Sequence, residues 1–236
     1  TASHSTDLTA LFKRNQESAH QVEGLAGAVG PGSQVQYRIG TLLDRPNANP
    51  IDWASGVAHT SDATFYVMGI TGVIEGEEGA AIASDDFGDR LKYDLPQNQI
   101  DYLKKLKDGN ENPVIAIVTG GSPMNLAEVH EIADAVLLVW YPGQEGGNAL
   151  ADVVFGKESP SGRLPITFPK SFDQLPAYDD YSMEGRTYKY MEAEPLYPFG
   201  FGLSYSKVSY EGVKLSSTSM KKSGEVTASV IVKNTG

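Results

Sequence analysis

Cysteine is absent from this chain. Disulfides, thiolate nucleophiles and thiolate metal sites are therefore excluded. No apolar run approaches the roughly 20 residues of a membrane-spanning helix. The longest candidate, Ala133–Tyr141, is short enough to be a buried strand. The first thirty residues are polar and charged, so they do not read as a signal peptide. Basic clusters are missing too. Nineteen Lys and Arg against thirty Asp and Glu give a net charge of -11. Binding to a nucleic-acid backbone needs a basic footprint, and an anionic membrane would repel such a chain. A neutral ligand such as a sugar is compatible with this charge.

Several chemical signatures are missing as well. His4, His20, His59 and His130 stand far apart, without HExxH spacing, so no metal site is expected. DDFGD lacks calcium-loop spacing. There is no GxSxG serine elbow. TGGSP and PGQEGG follow strands but lack GxGxxG and a phosphate-binding lysine, so no nucleotide cofactor is expected.

What the chain does contain is alternation. Gln34–Ile39 alternates like a strand. Thr64–Gly69, Val114–Val118 and Ala135–Trp140 are short apolar runs. Between them, Asn15–Val29, Trp53–Thr60, Pro96–Leu106, Met124–Ile132 and Glu145–Phe155 fit helices. Ile100, Leu103 and Leu106 share one helical face. Apolar strands separated by amphipathic helices predict an α/β fold, a three-layer sandwich with a mostly parallel sheet of about six strands. Residues 1–14 read as a flexible lead-in, and 15–209 as the main domain. Past Gly156, glycine, proline and aromatics predict a rigid irregular segment packed by its rings. Residues 210–236 read as KLSSTS and GEVTASVIVKNTG strands around a KKSGE turn. A lone hairpin is marginal in water, so this end predicts a truncated β-sandwich fragment.

The stretch 66–90, YVMGITGVIEGEEGAAIASDDFGDR, is the most informative. A strand opens it, and Glu75, Glu77 and Glu78 follow, then Asp85, Asp86, Asp89 and Arg90. An acidic, glycine-rich loop at the carboxyl end of a strand is where open α/β proteins keep their chemistry. Its carboxylates can supply general acid or base groups. A solvated acidic surface loop is the competing interpretation.

Taken in order, EGEE at 75–78, GDR at 88–90, LPQNQIDYL at 95–103, GGSPMNL at 120–126, the long run 133–171, GRTYKY at 185–190 and YPFGFGLSY at 197–205 resemble the C-terminal α/β sandwich domain of glycoside hydrolase family 3. VIVKNTG is similar to the opening of that family's fibronectin-type-III-like domain. The resemblance implies the second catalytic domain of a retaining, exo-acting β-glucosidase. Its substrate would be a terminal β-linked glucoside or short β-glucan oligosaccharide, and no cofactor or metal is implied. It also implies a partner, an N-terminal (β/α)8 barrel carrying an aspartate nucleophile, which these residues cannot form. The isolated chain is accordingly expected to be catalytically silent. A periplasmic or secreted parent is one reading of its compartment. A β-xylosidase of the same family, or a non-catalytic carbohydrate-binding module, are the alternatives.

Matching the family's acidic motif makes Glu77 the general acid/base, with Glu75 and then Glu78 as competitors. Asp89 and Arg90 match the family's Asp–Arg pair, which implies an ion pair bracing the loop; sugar contact is the other role for Glu78, Asp89 and Arg90. A retaining mechanism needs the two carboxyl groups about 5 Å apart, and the acid needs a raised pKa.

Overall fold

The parallel sheet is laid down by three apolar runs of equal length. In a computed structural model describing residues 21–76 and 89–236, they are β1 (Thr64–Gly69), β2 (Val114–Thr119) and β3 (Ala135–Trp140). They pair in parallel in the order β1-β2-β3. Thr64 lies opposite Val114 and Gly69 opposite Thr119, so β1 and β2 end level. The β2–β3 register slips after Val118, which sets Thr119 opposite Trp140.

Alternation along these strands divides the core between two faces. Tyr66, Met68, Ala116, Val118, Val136 and Leu138 face one way. That face is covered by α4 (Gln97–Lys107), through Ile100, Leu103 and Leu106, and by Val129 of α5 (Ala127–Ile132). Phe65, Val67, Ile117, Leu137 and Val139 face the other way, against Leu25 of α1 (residues 21–28) and Leu150 and Ala151 of α6 (Gly146–Val154). Full burial of one such aliphatic side chain is worth about 1.5–3 kcal/mol. Helices α1 and α6 approach so closely that a Cβ at Gly24 would stand 2.0 Å from the Gly147 carbonyl oxygen.

The helix starts follow local chemistry. Asp52 caps α2 (Trp53–Ala58), accepting from the Ala54 and Ser55 amides at 3.1 Å each. Tyr102 and Lys105 of α4 also reach this carboxylate, at 2.7 Å each. Burial alone would raise its pKa, but these partners hold it well below the usual carboxylate range.

Three sequence expectations need correction. The sheet has three strands among the described residues, not about six. Gln34–Ile39 forms no strand, and Val35, Tyr37 and Ile39 stand exposed. Period-2 alternation makes a strand only where a neighbouring backbone completes the ladder, and none runs beside this segment among the described residues. The first hairpin strand is not KLSSTS but β4 (Val208–Leu215), which pairs antiparallel with β5 (Ala228–Asn234). Both hairpin strands are exposed along nearly their whole length.

The aromatic return segment is split. Phe168 is fully buried, its ring 6.2 Å from Trp140 and from Tyr197, and Phe201 stacks on Tyr197 at 4.9 Å. Tyr188 stacks on Phe199 at 4.3 Å, yet both remain about half exposed. Trp53 is 62% exposed.

A single buried amide stitches the layers together. Gln99 in α4 accepts from Gly69 N–H at 2.7 Å through Oε1. Its Nε2 donates to Gly69 O at 2.9 Å and to Leu43 O at 2.7 Å. Truncation would strand these backbone groups in a dry interior. Gln99→Ala should cost about 2–4 kcal/mol, read by urea denaturation, against less than about 0.5 for the exposed Gln97→Ala.

His59 adds a pH dependence. Its Nδ1 lies 2.7 Å from Ser55 O and its Nε2 2.9 Å from Asp108 O. Only the imidazolium can donate to both carbonyls, and these two bonds raise the pKa above its ordinary 6.5. The resulting stabilisation is complete below the unfolded-state value and is lost as pH rises through the folded one. The midpoint of urea denaturation should therefore fall as pH rises above 6.5, and His59→Ala should flatten that slope.

Candidate active site

β1, β2 and β3 all deliver their carboxyl ends to one edge of the sheet, and the loops leaving them meet around one carboxylate. After β1 the chain makes a single turn, α3 (Gly72–Glu75), which places Glu75 beside the loops following β2 and β3. Gly121 N–H donates to Glu75 Oε1 at 2.9 Å, and Ser122 Oγ donates to the same oxygen at 2.8 Å. Tyr141, just past β3, donates its hydroxyl to Oε2 at 2.7 Å. Both oxygens are thus engaged, from two different loops.

Arg90 completes the cluster. Its Nη2 donates to Ser122 Oγ at 3.1 Å and to the Pro123 carbonyl. Ser122 therefore accepts from the arginine and donates to the glutamate. Burial lowers the Arg90 pKa, and the Glu75 charge acts against that. At Glu75, burial alone would raise the pKa. Bonds from Tyr141, Ser122 and Gly121, with the charge of Arg90, outweigh burial and lower it.

The two stems of the acidic loop are zipped. Gly76 and Asp89 form an antiparallel bridge, and Arg90 N–H donates to Glu75 O at 3.1 Å. Downstream, Asp94 bridges Asn125, so 90–95 runs alongside the loop after β2. Two details of the backbone make room for the cluster. A Cβ on Gly121 would sit 2.7 Å from the Tyr141 ring and 3.1 Å from Glu75 Oε1, so a side chain there would push on the cluster. Trp140 adopts φ 53°, a left-handed conformation that costs a non-glycine residue about 1–3 kcal/mol.

The structure thus brings Glu75 and Arg90 together. Asp89 lies at the stem and is exposed; the Arg90 guanidinium goes to Ser122 and Pro123 rather than into an ion pair with it. Glu77, Glu78, Asp85 and Asp86 fall outside the described residues. Sequence reasoning missed Ser122 and Tyr141. TGGSP and PGQEGG were visible as segments following strands, but nothing in their spacing showed that Ser122 and Tyr141 converge on Glu75. Among the described residues, no group of three or more His, Cys, Asp or Glu could hold a metal.

A carboxylate at the sheet's carboxyl edge, held by the loops of its neighbours, gives the family comparison a structural footing. The model of the glycosyl hydrolase family 3 C-terminal domain matches residues 4–205. The chain belongs to glycoside hydrolase family 3. It is 35% identical to a periplasmic beta-glucosidase of Salmonella typhimurium, covering 93% of this chain and 32% of that protein. It is 43% identical to a xylan 1,4-beta-xylosidase of Xylanibacter ruminicola, over 66% of this chain and 18% of that one. A solved beta-glucosidase from Erythrobacter marinus superposes with TM-score 0.69 at 28% identity, covering 92% of this chain and 32% of that one. The chain spans about a third or less of the length of these relatives. As a family 3 domain, it is related to the catalytic machinery of β-glucosidases and β-xylosidases.

Removing the arginine should loosen the cluster. Arg90→Met is expected to cost about 1.5–3 kcal/mol in urea denaturation. It should also move the Glu75 pKa up toward its ordinary 4.5, read from the side-chain carboxyl ¹³C shift against pH.

Proposed function

We propose that this domain is the second catalytic domain of a retaining, exo-acting β-glucosidase, and that Glu77 is its general acid/base. The nucleophile is then an aspartate on a (β/α)8 barrel outside these 236 residues. The observation that carries this reading is the state of Glu75. A general acid must hold a proton near neutrality. Glu75 receives donors on both oxygens and has a lowered pKa, so it is an anion when the acid should be charged with its proton. That role passes to the next glutamate along the loop, Glu77, and Glu75, Arg90 and the stem residue Asp89 become loop-bracing. Glu78, beside Glu77, is left for sugar contact or bracing.

In this scheme Glu77 protonates the leaving glycosidic oxygen while the barrel aspartate attacks the anomeric carbon. It then removes a proton from the water that releases the sugar. A β-xylosidase would use the same chemistry, and the 43% identity to the xylan 1,4-beta-xylosidase favours that as the second reading.

In the full-length protein, Glu77→Ala should lower kcat about 10²–10⁴-fold on β-glucosides with poor leaving groups. Activated aryl β-glucosides should be spared more, and azide should restore part of the deglycosylation rate. If Glu75→Ala shows azide rescue and Glu77→Ala does not, the assignment moves two residues upstream. The ratio of rates on aryl β-glucoside and aryl β-xyloside decides between the two substrate classes.

A further inference from the structure

We propose that Tyr141, aimed by the left-handed turn at Trp140, is a positioning residue for the general acid, acting through the Glu75 carboxylate. This inference rests on the assignment of Glu77 made above. The geometry supplies three supports. Among the described residues, Glu75 Oε1 is held from the loop after β2, by Gly121 and Ser122, and Oε2 by Tyr141, from the loop after β3. A carboxylate bound on one oxygen can pivot about that contact. Bound on both, from two directions, it cannot. Tyr141 therefore fixes the plane of the group that anchors one stem of the loop bearing Glu77.

The second support is backbone strain. β1 ends in Gly69 at φ 133°, a conformation glycine adopts freely. β3 ends in Trp140 at φ 53°, where glycine would again be the unstrained residue. The tryptophan ring packs edge-on against Phe168 at 6.2 Å, which anchors the strained turn to the buried core. The next residue is the tyrosine that reaches Glu75. Strain that the surrounding packing over-determines marks positions where geometry matters to function.

The third support is the β2–β3 register. The shift after Val118 brings Trp140 opposite Thr119, and Gly120 N–H donates to Trp140 O at 3.3 Å. The loop carrying Gly121 and Ser122 is thus tied to the turn carrying Tyr141. The donors to the two Glu75 oxygens are thus held relative to one another by backbone contacts that do not involve the carboxylate.

Tyr141→Phe removes one hydroxyl and preserves the ring. In the full-length protein it should lower kcat about tenfold on β-glucosides with poor leaving groups, with KM changed by less than about twofold. On a dinitrophenyl β-glucoside, which needs little protonation, the loss should be less than about twofold. In the 236-residue chain, the same variant should speed hydrogen exchange at the Gly121 amide, which donates to Glu75. Unchanged kcat on both substrates overturns the proposal. So does an equal loss on both, which would show a merely structural role, or unchanged exchange at Gly121. An unmodified full-length protein that hydrolyses neither β-glucosides nor β-xylosides overturns the proposed function and this inference with it. That case is distinct because the parent, not the variant, fails.

Discussion

A half-buried carboxylate stays ionised only when donors replace the water it has lost, and Glu75 obtains them from two separate loops, with the charge of Arg90 acting from a third segment. Gly121 and Ser122 lie after β2, Tyr141 lies after β3, and Arg90 lies at the far stem of the acidic loop. None of these residues could meet unless the three strands were parallel and ended together. The sheet register supplies that alignment, and Gln99 fixes the end of β1 from behind. One negative charge therefore organises a whole edge of the domain. Its own partners are bonded in turn, as Ser122 is to Arg90.

The cluster is built from short-range contacts on a stiff frame. Tyr66, Met68, Ala116 and Val118 face the helices α4 and α5, while Ile117 and its neighbours face α1 and α6. Apolar packing on both faces resists sliding of one strand against the next. A slip of one residue would reverse every side chain and separate Ser122 from Glu75. The irregularity between β2 and β3 is confined to the last residue pair, where it steers the chain toward the cluster without disturbing the core.

Much of this was readable in the residues. VIAIVT and AVLLVW are apolar on successive positions, as strands covered on both sides must be, and both are strands. Ile100, Leu103 and Leu106 fell on one helical face because their spacing leaves no other arrangement, and all three are buried. The acidic loop announced itself by glycines and carboxylates at a strand's end. What could not be read was pairing at a distance. QVQYRI alternates as well as any strand, but alternation does not reveal whether a neighbour exists. The resemblance implied an Asp89–Arg90 ion pair, yet adjacent side chains diverge, and Arg90 turns to Ser122 and the Pro123 carbonyl. Tyr141 stood in the sequence only as the last residue of the apolar run Ala133–Tyr141. Its role depends on φ at Trp140, which no side-chain pattern encodes.

The β4–β5 ribbon sets the colloidal behaviour of the chain. Val208, Tyr210, Val213, Leu215, Val230, Ile231 and Val232 all remain exposed, and among the described residues no strand pairs with either outer edge of the ribbon. Open, apolar edges are templates for strand addition between molecules. Mutual repulsion from a net charge of -11 keeps copies apart near neutral pH. That repulsion vanishes as the medium approaches the isoelectric point of about 4.8. Acidification therefore removes the electrostatic barrier while leaving the sticky ribbon intact, and turbidity follows from the tail of the chain rather than from the edge that carries Glu75.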